Sequence, residues 1–186
     1  MTGAPPLPLL FLDVDGPLVP FGGPWTYRTW DHPLVAEEAG SANPLLGRID
    51  PAHGPRLAAL PCEPVWATTW SADANAFVAP RLGLPELGVV VWPEASAFEE
   101  EDVRMGLHWK TRTLVDRAAG RPFVWLDDEI TGADRGWVAR HHRGPALLHR
   151  VDPRRGLVPA DFVTVGDWLC RVVDARRRTG AAPGAA

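Results

Sequence analysis

The feature that most constrains this chain is a set of five short apolar runs, 7–12, 64–67, 88–92, 122–126 and 146–151, each stopped by a polar or turn-forming residue. Runs this short and this continuously apolar read as strands buried on both faces, because a strand with one wet face would alternate. The text between them has helical spacing. Pro55 to Leu60 predicts a short helix, and Ala72 to Leu82 a longer one with Ala74, Phe77, Val78 and Leu82 on one face. Trp109 to Ala119, Ala133 to His141 and Val165 to Arg177 predict three more. Strands that alternate with helices pack best as a parallel sheet covered on both sides. The predicted fold class is therefore three-layer α/β.

Two stretches fall outside that alternation. Residues 17–56 are rich in Pro, Gly and Trp and carry no period, so they are read as an insertion over one edge of the sheet. The insertion has room for a hairpin or flap, with Trp25, Tyr27 and Trp30 alternating along a strand, but is too short for a second domain of ordinary size. One domain is the expectation for 186 residues, with 179–186 as a disordered tail because nothing there can be buried.

Composition narrows the partners. A net charge of -4 made of both signs gives no electrostatic argument for nucleic acid or for an anionic membrane surface. No apolar run approaches the roughly 20 residues that span a bilayer. Met1 to Leu12 has no basic residue ahead of its apolar stretch, so it lacks the pattern of a signal peptide and the expected location is cytoplasmic. Cys62 and Cys170 supply neither a disulfide framework nor closely spaced metal ligands, and both are expected to be buried thiols.

In parallel α/β sheets ligands bind beyond the carboxyl ends of the strands, so the residues just after each run are the place to look for chemistry. The first run ends in Asp13-Val14-Asp15-Gly16, the second in Thr68-Thr69 and the fourth in Asp127-Asp128-Glu129, while Lys110 opens the helix before the fourth. Close carboxylates repel one another and require raised pKa values or a cation. Oxygen ligands alone select a hard ion, which makes Mg²⁺ the expected metal, with a coordination position left for a substrate phosphate. An aspartate in such a place can attack phosphorus, and a second acid two residues on can act as general acid and then general base. Lys110 is the single lysine beside eighteen arginines, which suggests a need for a compact point charge.

The ordered set Phe11-Leu12-Asp13-Val14-Asp15-Gly16-Pro17-Leu18, Val65-Trp66-Ala67-Thr68-Thr69-Trp70, His108-Trp109-Lys110-Thr111 and Val124-Trp125-Leu126-Asp127-Asp128 resembles the four signatures of the haloacid dehalogenase superfamily of phosphohydrolases. The resemblance implies a Rossmann-like parallel sheet of about five strands without a large cap, and a Mg²⁺-dependent phosphatase that works through an aspartyl-phosphate on a phosphomonoester. It implies that Asp13 is the nucleophile and Asp15 the acid/base, that Thr68 (or Thr69) binds phosphoryl oxygens, and that Lys110 steadies nucleophile and phosphate. Asp13, the Asp15 backbone carbonyl and Asp127 would hold Mg²⁺, with Asp128 acting directly or through water. The expected partner is a phosphorylated small molecule or an exposed phosphate on a larger one. Departures are Pro17, where many relatives have Thr, and bulky Trp70 after the hydroxyl pair. The alternatives are a phosphotransferase of the same fold and a phosphate- or phosphoprotein-binding module; a nucleic-acid end-processing phosphatase has no support from the charge. Asp15 favours catalysis over binding, because a binder has no use for a second acid.

The remaining conspicuous residues read as structural. Glu99 to Asp102 is taken as a solvated run on a loop, and His141, His142 and Arg176 to Arg178 as cations at helix C-termini. Trp66, Trp92, Trp125 and Trp168 are expected in the core, and Trp25, Trp30 and Trp70 near the rim, where an aromatic ring could stack on a substrate.

Overall fold

The structure is a computed structural model that describes residues 6–32, 43–94 and 98–180. Its centre is a five-stranded, all-parallel sheet in the order β3-β2-β1-β4-β5. The strands are β1 (Leu9–Leu12), β2 (Glu63–Trp66), β3 (Gly88–Val89), β4 (Phe123–Asp127) and β5 (Ala146–Arg150). The helices are α1 (His53–Ala58), α2 (Ala79–Leu82), α3 (Glu99–Met105), α4 (Thr111–Ala118), α5 (Gly132–His141) and α6 (Pro159–Gly180). One turn of π-helix, Ala74–Val78, runs directly into α2.

The continuous apolarity of β1 has a simple cause. Leu10 and Leu12 join one buried cluster with Leu57, Val78, Leu82, Val165 and Leu169, contributed by α1, the π-turn, α2 and α6. Leu9 and Phe11 point the other way, into a cluster with Leu114, Val115, Trp137 and Val138 from α4 and α5. Successive side chains of a strand leave opposite faces, so a strand covered on both sides has no place for a polar residue. Trp66 and Trp125 are fully buried, as expected, while Trp92 and Trp168 are partly buried against the two clusters.

Register aligns the strand ends. Leu12 pairs with Trp66 on one side and with Leu126 on the other, so Asp13, the Ala67–Thr68 step and Asp127 emerge at one edge. The chain builds outward from β1 through β2 to β3, then returns to place β4 on the far side of β1. That reversal leaves a crevice between the loops after β1 and β4, where sheets of this kind hold their ligands.

Several expectations are corrected. Glu99 to Asp102 is not a loop: it opens α3, where acids suit the positive end of the helix, and Asp102 is buried against Arg112, 2.7 Å away. Among the described residues of the insertion there is no strand. Trp25, Tyr27 and Trp30 lie in irregular chain, pinned by Arg48, which donates to the Pro20 carbonyl and sits over the Tyr27 ring. The remainder of the insertion, 33–42, lies outside the described residues. Cys62 is buried but Cys170 is exposed, because it follows the core residue Leu169 on α6 and so turns about a quarter-circle away from the sheet. His142 is not a cation at the end of α5: burial holds its ring below the usual histidine range, and its Nε2 lies 3.1 Å from the Arg121 carbonyl. The last helix persists to Gly180, where a disordered tail was expected from 179; residues 181–186 lie outside the described residues. Among the described residues no helix is long and apolar enough to cross a membrane.

Candidate active site

The turn after β1 is tight. Leu18 and Val19 both donate to the Val14 carbonyl, and Gly16 takes φ +83°, a left-handed conformation that disfavours side chains. Space as well as angle demands glycine here, since a Cβ would lie 2.6 Å from the Asp128 carboxyl carbon. The loops after β1 and β4 are thereby brought into contact. The Asp13, Asp127 and Asp128 carboxylates fall within 4.8 Å of one another, and all three residues are buried.

Lys110, at the start of α4, enters this group from a third side. Its Nζ lies 2.7 Å from Asp13 Oδ2 and 2.8 Å from Asp127 Oδ2. Asp127 is held rigidly: its Oδ2 also accepts from Trp125 Nε1 at 3.1 Å and its Oδ1 from the Glu129 N–H at 2.9 Å. Asp13 Oδ1 accepts from the Val14 N–H at 2.8 Å. The Asp128 carboxylate accepts from its own backbone N–H, and no side chain among the described residues donates to it.

Charge bookkeeping decides what such a group can hold. Three buried carboxylates face one ammonium, a surplus of two negative charges in a place where charge is expensive. Burial pushes the Asp13 carboxyl up to about 7, with Lys110 pulling it down and Asp127 pushing it further up. Burial and the Asp127 charge raise Asp128 to about 6. Burial alone would lower the Lys110 ammonium, but Asp13 and Asp127 hold it above its ordinary value. A divalent cation on oxygen ligands cancels the surplus, and the residues present fit Mg²⁺.

Asp15 is not part of this cluster. Its Oδ2 accepts from Trp70 Nε1 at 2.9 Å, a contact that no motif or period encodes. Thr68 is fully buried at the end of β2; its Oγ1 accepts from the Trp70 N–H at 3.3 Å and its carbonyl from Trp92 Nε1 at 2.9 Å. Thr69 is exposed. Of the two hydroxyls, that of Thr68 belongs to the folded rim.

A second group, His108, Asp127 and Glu129, also has metal-like spacing. The hydrogen bonding argues against a metal there. His108 Nδ1 accepts from the Lys110 N–H at 3.2 Å, which puts the ring proton on Nε2, 3.0 Å from Glu129 Oε2. That nitrogen donates and is not a ligand.

Sequence reasoning missed the device that aims Lys110. Asp134 is fully buried and accepts from the His108 N–H at 2.8 Å, Thr111 Oγ1 at 2.7 Å, and the Thr131 N–H and Oγ1 at 2.8 and 2.7 Å. It thus ties both flanks of Lys110 to the first turn of α5. The signal was available in Thr131-x-x-Asp134, a capping box. In comparisons with known proteins, no family model, no curated protein and no solved structure matched the chain.

Proposed function

We propose that the protein is a Mg²⁺-dependent phosphohydrolase of the haloacid dehalogenase type, acting on a phosphomonoester through an aspartyl-phosphate. The observation that carries this reading is the buried triad of Asp13, Asp127 and Asp128 around the single Lys110, at the carboxyl edge of a parallel sheet. Three carboxylates share one ammonium here, and a divalent cation would balance the charge that remains.

Asp13 and Asp127, with Asp128, would hold the ion, which supplies charge neutralisation for phosphoryl oxygens. The chain's own groups do the rest. An Asp13 oxygen forms a bond to phosphorus as the bond from phosphorus to the ester oxygen breaks, and Asp15 gives that oxygen its proton. Water then attacks phosphorus, Asp15 takes the water proton, and the bond to Asp13 breaks to release inorganic phosphate. Lys110 Nζ, which lies between Asp13 and Asp127, draws the nucleophile towards its ionised form and would balance charge gathering on the transferring group. The Thr68 hydroxyl, at the neighbouring strand end, would donate a further hydrogen bond to the phosphoryl oxygens.

Turnover of phosphorylated metabolites, nucleotides and phosphopeptides, with and without Mg²⁺, tests the reading. Release of phosphate that stops with chelator and returns with Mg²⁺ is expected. Full activity in chelator, or no turnover of any phosphomonoester, would overturn it.

A further inference from the structure

Trp70 is a bulky residue with no place in the site's proposed chemistry, yet it is bonded directly to Asp15. Its indole N–H donates to Asp15 Oδ2 at 2.9 Å, and among the described residues it is the only side chain that donates to Asp15. The ring packs against the core cluster that also holds Leu12, Val14 and Leu18, so the donor is anchored from behind. The backbone is bent to hold it there. Trp70 N–H closes a turn onto Thr68 Oγ1 at 3.3 Å, and Ser71, the next residue, sits at φ +48°, a left-handed conformation costly for any residue with a Cβ. The chain then enters a π-turn, Ala74–Val78, a local winding often found beside functional sites.

The chemistry of the indole makes the contact directional. Indole Nε1–H is a donor only, so Oδ2 of Asp15 can serve only as an acceptor towards it. The carbonyl oxygen of a carboxylic acid is the better acceptor, so a proton carried by Asp15 is favoured on Oδ1. An unrestrained carboxyl offers two equivalent oxygens and rotates; this one offers a single oxygen in a fixed direction. Fixing the proton carrier matters most for an ester whose leaving oxygen must be protonated as it departs.

We propose that Trp70 is a positioning residue that locks Asp15 by its Oδ2 and presents Oδ1 as the sole proton donor to the leaving group. The role rests on the hydrolase reading of the site. It assigns the bulky residue after Thr68-Thr69 a part in the reaction and makes it selective for substrates with poor leaving groups.

The experiment compares two esters and two backgrounds. Trp70→Phe removes the N–H and keeps an aromatic ring; replacement of Trp70 by 3-benzothienylalanine keeps the bicyclic shape and exchanges N–H for sulfur, which covers a failure of the phenylalanine variant to fold. Each is assayed with Mg²⁺ on p-nitrophenyl phosphate, whose leaving group needs no proton, and on glycerol phosphate, whose leaving group does. The expected result is a fall in kcat/KM, which reports the steps up to formation of the aspartyl-phosphate and not its shared hydrolysis, of at least ~10-fold on glycerol phosphate with little change on p-nitrophenyl phosphate. In an Asp15→Asn background the same replacements are expected to change neither rate further. Equal losses of kcat/KM on both esters, or a full extra loss in the Asp15→Asn background, would make Trp70 a packing residue and overturn the proposal. Wild-type protein that turns over neither ester nor any other phosphomonoester would instead remove the hydrolase reading on which the role depends.

Discussion

At the scale of single residues the account turns on Lys110. Its ammonium fills the space between Asp13 Oδ2 and Asp127 Oδ2, at 2.7 and 2.8 Å, and the residue is 3% exposed. A planar guanidinium is wider and cannot occupy that space. Lys110→Arg is therefore expected to lose turnover almost as completely as Lys110→Ala, by ~10²-fold or more. Near-normal turnover in the arginine variant would contradict the role. Asp127→Ala should instead raise the Mg²⁺ concentration needed for half-maximal rate, because the site holds few protein ligands to begin with; an unchanged Mg²⁺ requirement would remove Asp127 as a ligand. The lone lysine was legible in the sequence because composition singled it out. Asp13, Asp127 and Asp128 were legible because each follows an apolar run, and the parallel sheet turns that sequence position into a place in space. The bond from Trp70 to Asp15 was not legible. It joins residues 55 apart in the chain through a strained turn, and no periodicity encodes such a contact.

At the scale of elements the first turn of α5 is the support for the site. Asp134 caps that helix and holds the backbone of His108 and the hydroxyl of Thr111 on either side of Lys110. Burial alone would raise its carboxyl, but hydrogen bonds from Thr111, Thr131 and the His108 N–H hold it below the ordinary 3.8. The folded chain thus binds fewer protons here than the unfolded one. The contribution is complete above the ordinary carboxylate value and is lost as pH falls through 3.8 towards the lower folded value. Asp134→Asn should cost ~2 kcal/mol in denaturant titrations near neutral pH, as expected when charged hydrogen bonds are removed. Its deficit relative to wild type should shrink once pH falls below about 4. A deficit that is constant or grows in acid would contradict the assignment. Helix α3 shows where sequence reading fails at this scale. Glu99-Glu100-Glu101-Asp102 looks like a solvated run, yet these residues occupy the first turn of a helix and Asp102 is drawn inward by Arg112, a partner ten residues away. Neither the dipole nor the ion pair leaves an apolar period to read.

At the scale of the whole molecule the strand order does the assembling. With β1 central and β4 placed on its far side, the reversal of chain direction across the sheet opens the crevice in which Asp13 meets Asp127, and Gly16 lets the two loops close to contact. The five apolar runs sufficed to predict a parallel α/β sheet, since double-sided burial is written directly in continuous hydrophobicity. The insertion was harder to read, because chain held by isolated contacts such as Arg48 with Pro20 has no repeating signal. The claim that unites these scales is that Asp13 becomes covalently phosphorylated. Acid quenching of the protein during turnover of a ³²P-labelled phosphomonoester in Mg²⁺ tests it most directly. The account predicts acid-stable label on the peptide that contains Asp13, in wild type and more strongly in Asp15→Asn, where hydrolysis of the intermediate is slowed, and none in Asp13→Asn. Rapid turnover without label on that peptide, or an Asp13→Asn variant that keeps its activity, would contradict it.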